Sequence, residues 1–344
     1  MVSERGLQVL RAIVQDYVET NEPVGSKSLV DRYSFGVSAA TIRNDMALLE
    51  DEELITAPHT SSGRMPTDKG YRVFVDHLAQ LRPLSSAQRT AIESFLSEPA
   101  DLDDLMARTV RVLSRLTGQM AIAQYPSFAS AHLSHIELVA LAPSRMLVIL
   151  VTDAGGVSQR ITQLPIELDG ADLATLREQF AAILPGQKVQ DAAGQLAALL
   201  NSAAGSRIEP AVQTLCKIIS EELGEFRQER LVLAGTATLA RREHDFRGNL
   251  HPILEAIEEQ VTLLRLVSEL QTDEHGLAAS IGVENEAFGI PEASIVASDY
   301  VTAGGMSRVA VMGPTRMDYS GNFAMARAVA RYLTRMLDED EQRR

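Results

Sequence analysis

The segment TIRNDMALLEDEE, residues 41–53, sets an arginine beside an asparagine at Arg43 and Asn44. Both side chains read base edges. An asparagine amide pairs with N6 and N7 of adenine, and a guanidinium reaches O6 and N7 of guanine or a phosphate oxygen. A second stretch, PHTSSGRMPT at residues 58–67, holds His59, Thr60, Ser61, Ser62, Gly63 and Arg64. It lies in a run from Leu54 to Thr67 that contains no Asp or Glu, in a chain with 46 acids among 344 residues. Hydroxyls, backbone N–H groups and one arginine, free of neighbouring carboxylates, suit a loop laid along phosphates. Gly63 would permit close approach to the backbone, and Pro58 and Pro66 would stiffen the loop's ends.

Residues 1–82 must position these groups. Leu7, Leu10, Val14, Tyr17 and Val18 recur at helical spacing and predict a helix over 3–20, capped by Ser3 and stopped before Pro23. A second, short helix follows at 26–33, then a turn at 34–37 holding Gly36. Ser38 caps a third helix running to about Asp51, with Thr41 three residues into it. Ile42, Met46 and Leu49 share one face of that helix and point to a core, while Ala40, Asn44 and Ala47 lie opposite. Arg43 and Thr41 flank the open face. Two alanines allow a helix to sit close to a groove floor, and the free N–H groups near Ser38 can meet a phosphate. Lys27, Arg32, Lys69 and Arg72 are the other placed cations. Thr67 caps a fourth helix carrying Tyr71, Phe74, Val75 and Leu78, and RPLSSA at 82–87 reads as a linker. Helix, helix, glycine-containing turn, helix, hairpin-like loop, helix is the order of a winged helix-turn-helix. The competing reading is an ordinary amphipathic core helix beside a solvated loop; the turn before the helix and the acid-free loop after it favour duplex DNA.

The rest of the chain argues against a general affinity for nucleic acid. Its net charge is −14 and its pI about 5.0. Residues 1–82 hold nine Lys and Arg against twelve Asp and Glu, so even this domain is not basic. One cysteine, Cys216, excludes an internal disulfide and a multi-cysteine metal site, and its apolar neighbours predict a core position. His132, His135 and Glu137 form H-x-x-H-x-E, which is no known metal spacing. Gly304, Gly305 and Gly313 lack the lysine and hydroxyl of a phosphate loop. No nucleophile–base constellation is visible, so no enzyme and no cofactor is expected. Glu4 and Arg5 break any secretory leader, and Met146–Val151, the longest strongly apolar run, is too short to span a bilayer. A cytoplasmic protein is expected.

Beyond 82 the pattern is mixed, giving a multidomain α+β chain. A helix is predicted at 103–117, strands at 119–124, 135–141, 145–152 and 157–164, and only helices across 165–226. Strands return at 229–235, 277–283, 294–302 and 306–313, with one helix at 253–270 between them and another at 319–338. An all-helical block inside a strand-rich region suggests an insertion into an α+β domain.

Three segments together resemble one family. They are TIRNDMALLEDEELITAPHTSSGRMPTDKGYRVFVD at 41–76, SIGVEN at 280–285 and VAVMGPTRMDY at 309–319. They are similar to blocks of HrcA, the bacterial heat-inducible transcription repressor family, and the likeness extends over essentially the whole chain. The resemblance implies a cytoplasmic homodimer that binds double-stranded DNA at an inverted-repeat operator, CIRCE, upstream of chaperone operons. It implies modulation by the chaperonin GroEL, which assists the family's folding. It further implies a winged-helix domain at 1–82 and a GAF-like domain in two parts, 83–164 (including a linker helix) and 227–344. A helical dimerising domain is implied between them at 165–226, where apolar helices have little sheet to cover them. One departure stands out: the family usually has glycine where Glu53 stands, just past the third helix. Two other classes compete. A metabolite-sensing regulator would need a polar pocket framed by 119–164 and 229–313; an enzyme would need converging acid, base or metal groups there.

Overall fold

Hydroxyl side chains open three of the first four helices, and each does so by accepting a hydrogen bond from a backbone N–H. Ser3 accepts from Gly6 at 3.1 Å, Ser38 from Thr41 at 3.3 Å and Thr67 from Gly70 at 3.0 Å. The computed structural model describes every residue except 1, 60–61, 79–82, 129, 228–229, 247, 249, 303–304 and 343–344. The helices are α1 (Glu4–Thr20), α2 (Ser26–Arg32), α3 (Ala39–Asp51) and, after strands β1 (Ile55–Thr56) and β2 (Met65–Pro66), α4 (Asp68–Asp76). Helix α1 ends at Asn21, whose φ of 58° is left-handed, two residues before Pro23. Its buried stripe is Val9, Leu10, Ile13 and Val14; the expected Leu7, Tyr17 and Val18 are only half-buried. The stripe is displaced because α1 packs against both α3 and α4.

Two backbone positions shape the exit from α3. Glu53 adopts φ 61°, the left-handed conformation that glycine takes without strain. Thr67 Oγ1 donates to its carbonyl at 2.7 Å and Lys69 Nζ lies 3.6 Å from its carboxylate. Gly70 lies against the Leu54 carbonyl so closely that a Cβ would stand 1.9 Å from that oxygen. The chain thus leaves α3 and enters α4 through a crossing that only a glycine at 70 permits.

After residue 82 come α5 (Ser86–Leu96), α6 (Leu102–Thr117), β3 (Met120–Gln124), β4 (Leu133–Ala142), β5 (Arg145–Thr152) and β6 (Val157–Gln163). Helices α7 (Gly170–Ile183), α8 (Ala192–Ser202) and α9 (Glu209–Arg227) precede β7 (Leu231–Ala234), α10 (Thr236–Arg241), α11 (His251–Glu259) and α12 (Val261–Glu269). The chain closes with β8 (Leu277–Ile281), β9 (Ala293–Thr302), β10 (Gly305–Pro314) and α13 (Tyr319–Gln342). The expected linker at 82–87 instead leads into α5, which opens on a reciprocal cap between Ser85 and Gln88. The single helix expected at 253–270 is two, broken at Gln260 with φ 46°. Ile253, Ala256, Leu263, Leu266 and Leu270 keep one helical register across the break, so spacing alone does not reveal it.

The chain divides into two compact units. The first comprises Met1–Ala123, Leu231–Asp299 and Arg308–Ala330. It contains a five-stranded sheet in the order β7-β3-β10-β9-β8, with β10 antiparallel to β3 and β8 antiparallel to β9. Met120, Ile122, Ile295, Ala297, Ala310 and Met312 form the sheet side of a core closed by Leu239, Ile253, Leu263 and Leu266 of α10–α12. Helix α4 packs on β8 within the same unit. Arg72 donates to Glu284 Oε1 at 2.7 Å and to the Ala279 carbonyl at 2.8 Å, and the Val283 N–H donates to Asp68 at 3.0 Å. Arg316 donates to the Val18 carbonyl of α1 at 2.9 Å and pairs with buried Asp245, whose carboxyl it holds below the usual range against the opposing effect of burial.

The second unit comprises Gln124–Arg230, Tyr300–Ser307 and Arg331–Arg344. Its sheet has the order β4-β5-β6, antiparallel throughout. Leu138, Val148 and Leu150 of that sheet share a core with Phe180, Leu196, Val212, Leu215 and Ile219 of α7–α9. This corrects the expectation that helices 165–226 lack a covering sheet. Among the described residues the strands at 133–163 pair in a sheet of their own, distinct from the sheet of β3 and β7–β10. Cys216 lies in the α7–α9 core, where burial pushes its thiol up to about 11.

Replacing Glu53 with glycine removes a left-handed strain of about 1–2 kcal/mol and gives back about 0.5–1 kcal/mol as unfolded-chain entropy. The expected net gain is about 0.5–1 kcal/mol, read as a higher urea midpoint at unchanged slope. A midpoint that falls would show that the Lys69 contact outweighs the strain.

Candidate nucleic-acid interface

The surface is built from the core outward. Ile42, Met46 and Leu49 are 0 %, 6 % and 1 % exposed, and burial of each contributes about 1.5–3 kcal/mol. They lock the rotation of α3 against α1 and α2, and that rotation leaves Ala40, Arg43, Asn44 and Ala47 exposed. Asp45 is a buried carboxylate on the same helix. Arg5 of α1 answers it with two donors, at 2.7 and 3.0 Å, a hydrogen-bonded pairing that raises the Arg5 guanidinium above its ordinary value. At the other end, Tyr33 donates to buried Asp16 at 2.8 Å while Arg32 lies 3.2 Å from it, which ties the end of α2 to α1. Burial, then the bond to Asp16, pushes the Tyr33 hydroxyl up to about 12.

Gly36, with φ 68°, makes the turn from α2 to α3. Ser38 and Thr41 pair at the start of α3, their hydroxyls 3.1 Å apart, so both lie at the positive end of the helix. Lys27 stands exposed on α2.

The loop after α3 is a short antiparallel hairpin in which Ile55 pairs with Pro66 and Thr56 with Met65. Val24 adds an antiparallel bridge to Arg64, exchanging backbone bonds of 2.8 and 2.9 Å. His59 is exposed, and Ser62 closes the turn by accepting from the His59 N–H at 3.0 Å and donating to its carbonyl at 2.6 Å. Thr60 and Ser61 lie outside the described residues. Gly63 is needed for a reason the sequence hid. A Cβ there would stand 2.5 Å from the Pro23 carbonyl oxygen, so the close approach it permits is to the chain's own backbone.

The cations sort into two groups. Arg64 bonds to Glu50 through Nε and Nη2, both at 2.9 Å, and its Nη1 donates to the Ser62 carbonyl at 3.2 Å. Its charge is therefore matched by α3 rather than offered freely to a phosphate. Arg32, Lys69 and Arg72 are likewise committed to Asp16, Glu53 and Glu284. Among the described residues, Lys27 and Arg43 are exposed and take part in no ion pair. What the structure brings together on one open surface is thus Ala40, Arg43 and Asn44, with Ser38 and Thr41 at the helix start. The roles of Arg5 and Glu50 went unread because their partners lie 40 and 14 residues away in sequence.

Elsewhere the charged groups pair locally. His132 lies 3.2 Å from Asp153, and His135 lies 3.5 Å from Glu137. Among the described residues no three His, Cys, Asp or Glu side chains converge as a metal site, and no helix is long and apolar enough to cross a membrane.

An α+β chain of two units, with an open helix face held on a helix-turn-helix and a hairpin behind it, has the form of a transcription regulator. The comparisons agree. The family model described as the HrcA protein C-terminal domain matches residues 103–322. The "Heat-inducible transcription repressor HrcA" of Clavibacter michiganensis subsp. michiganensis is 57 % identical, over 98 % of this chain and all of the relative. Its namesake in Leifsonia xyli subsp. xyli is also 57 % identical, with the same coverage. A crystal structure described as that of a hypothetical protein shares the fold at a TM-score of 0.66 and 23 % identity, covering 98 % of this chain and 99 % of the other. The chain belongs to the HrcA family of heat-inducible transcription repressors, and it is a regulator, not an enzyme.

Pairing of Arg64 with Glu50 has a measurable consequence. Glu50→Gln should release the guanidinium, tighten binding to any duplex, and steepen log K against log[salt] by about 0.9 per subunit. Adding Arg64→Ala should cancel the change. An unaltered slope in Glu50→Gln would mean that Arg64 lies out of reach of the phosphates.

Proposed function

We propose that residues 1–82 form a winged-helix DNA-binding domain that places the open face of α3 in the major groove of an inverted-repeat operator, and that a homodimer so bound represses chaperone operons. The observation that carries this is the exposed row Ala40, Arg43 and Asn44 on a helix whose opposite face is fully buried. Asn44 pairs with adenine, Arg43 takes a guanine or a phosphate, and the free N–H groups near Ser38 meet a phosphate. Lys27, His59 and the Ser62 hydroxyl lie along the DNA backbone. Gly63 and Arg64 serve this surface by shaping the hairpin. The family resemblance supports the CIRCE operator, the cytoplasm as the place of action, and GroEL as the modulating partner.

The homodimer has a different support from the one the sequence suggested. The apolar faces of α7–α9 are filled, but the far side of their sheet is not. Val139, Leu147 and Ile161 align across β4, β5 and β6, and Val151 aligns with Val157. Val157 and Ile161 are 47 % and 50 % exposed. A second copy laid on this face would bury it by two-fold symmetry, the symmetry an inverted repeat requires. Ile161→Asp should then sediment as a monomer where the parent chain is a dimer; a dimer that survives the change places the interface elsewhere.

A metabolite-sensing role has one observation behind it, a cleft of about 210 Å³ lined in part by Tyr17, Met65, Asp245 and Arg316. Its most buried charges, Asp245 and Arg316, already satisfy each other, which leaves little to recognise a ligand.

The test of the main reading is Asn44→Ala. It should leave the fold intact and cost about 1–3 kcal/mol per half-site against the preferred sequence, relaxing discrimination at one base pair. Equal discrimination by variant and parent would remove Asn44 from the reading surface.

A further inference from the structure

The open face of α3 holds one large apolar side chain that stays exposed among the described residues. Leu48 is 63 % exposed, and it follows Asn44 by four residues. That spacing sets it about 40° round the helix and about 6 Å along it from Asn44, on the same face. Near it the exposed positions are small or polar: Asn44, Ala47 and, one turn further, Asp51. The core does not need Leu48, because Leu49 beside it is the buried residue of that turn. A major groove presents one apolar feature on its floor, the C5 methyl of thymine.

We propose that Leu48 is a specificity residue that packs on a thymine methyl, one helical turn along the groove from the base read by Asn44. The inference rests on α3 being the reading helix. The acids beyond Leu48 agree with it. Asp51 is exposed on the same side and repels phosphate, so the helix must lift from the groove after Leu48. Glu50 lies on the other side of the helix from Leu48, toward the hairpin, and has its charge matched by Arg64. Leu48 therefore occupies the last position on the face that can touch a base.

The experiment uses the full chain and a duplex enriched by it from random-sequence DNA. Each thymine of the half-site is replaced in turn by deoxyuridine, which removes only the methyl, and affinity is followed by fluorescence anisotropy. The parent chain should lose about fourfold per half-site at one thymine, the worth of one buried methyl group. Leu48→Ala, verified as folded by its melting transition, should bind the thymine duplex about as the parent binds the deoxyuridine one, and should be indifferent to that substitution. A parent chain indifferent to every methyl, or a Leu48→Ala chain that keeps the same methyl dependence, overturns the proposal while leaving Asn44 and the reading helix untouched. Failure to enrich any preferred sequence would overturn the reading of α3, and Leu48 with it.

Discussion

Three carboxylates of α3 and its exit are matched by cations from other elements, and the placement of that helix depends on those pairs. Asp45, Glu50 and Glu53 each meet a base from a different element: Arg5 from α1, Arg64 from β2's edge, and Lys69 from α4. The pairs do two things at once. They cancel negative charge next to the surface proposed to meet phosphates, and they pin three neighbouring elements to one helix. The two exposed pairs contribute at most about 1 kcal/mol each, so their value is placement. Arg5–Asp45 differs, because its carboxylate is buried, so removing the arginine would leave that charge without its partner.

A second set of contacts extends that placement into the body of the first unit. Asp68 caps the turn at Val283, Arg72 grips Glu284 and the Ala279 carbonyl, and Arg316 holds the end of α1. The rings of Tyr71 and Tyr319 lie 5.6 Å apart between them. The orientation of α3 is thus tied to the five-stranded sheet through α1 and α4. The proposed binding to two half-sites would gain from such ties, since a loosely tethered helix would sample spacings that fit no operator.

Much of the first domain was legible in sequence because its signals are local. Ser38 three residues before Thr41, Gly36 in the turn, and the Ile42–Met46–Leu49 stripe each act over less than three helical turns. What stayed hidden is long-range or backbone-driven. Gly63 and Gly70 are required by carbonyls at Pro23 and Leu54, and no side-chain pattern announces a backbone crossing. Arg64 looked like a phosphate contact because its partner sits on another element. The hairpins at 133–163 matched their expected ranges closely, yet their sheet belongs with α7–α9, because strand periodicity gives faces without naming what covers them. The break at Gln260 was invisible for the opposite reason: the apolar register runs straight through it.

Dimethyl sulfate protection on a chaperone promoter tests the central claim most directly, because the reagent methylates guanine N7 in the major groove and adenine N3 in the minor groove. With the full-length protein bound, the account predicts N7 protection in two patches related by two-fold symmetry and separated by whole turns of the duplex. Protection confined to adenine N3, or a single patch, would contradict it, since α3 would then lie outside the major groove or only one copy would be bound.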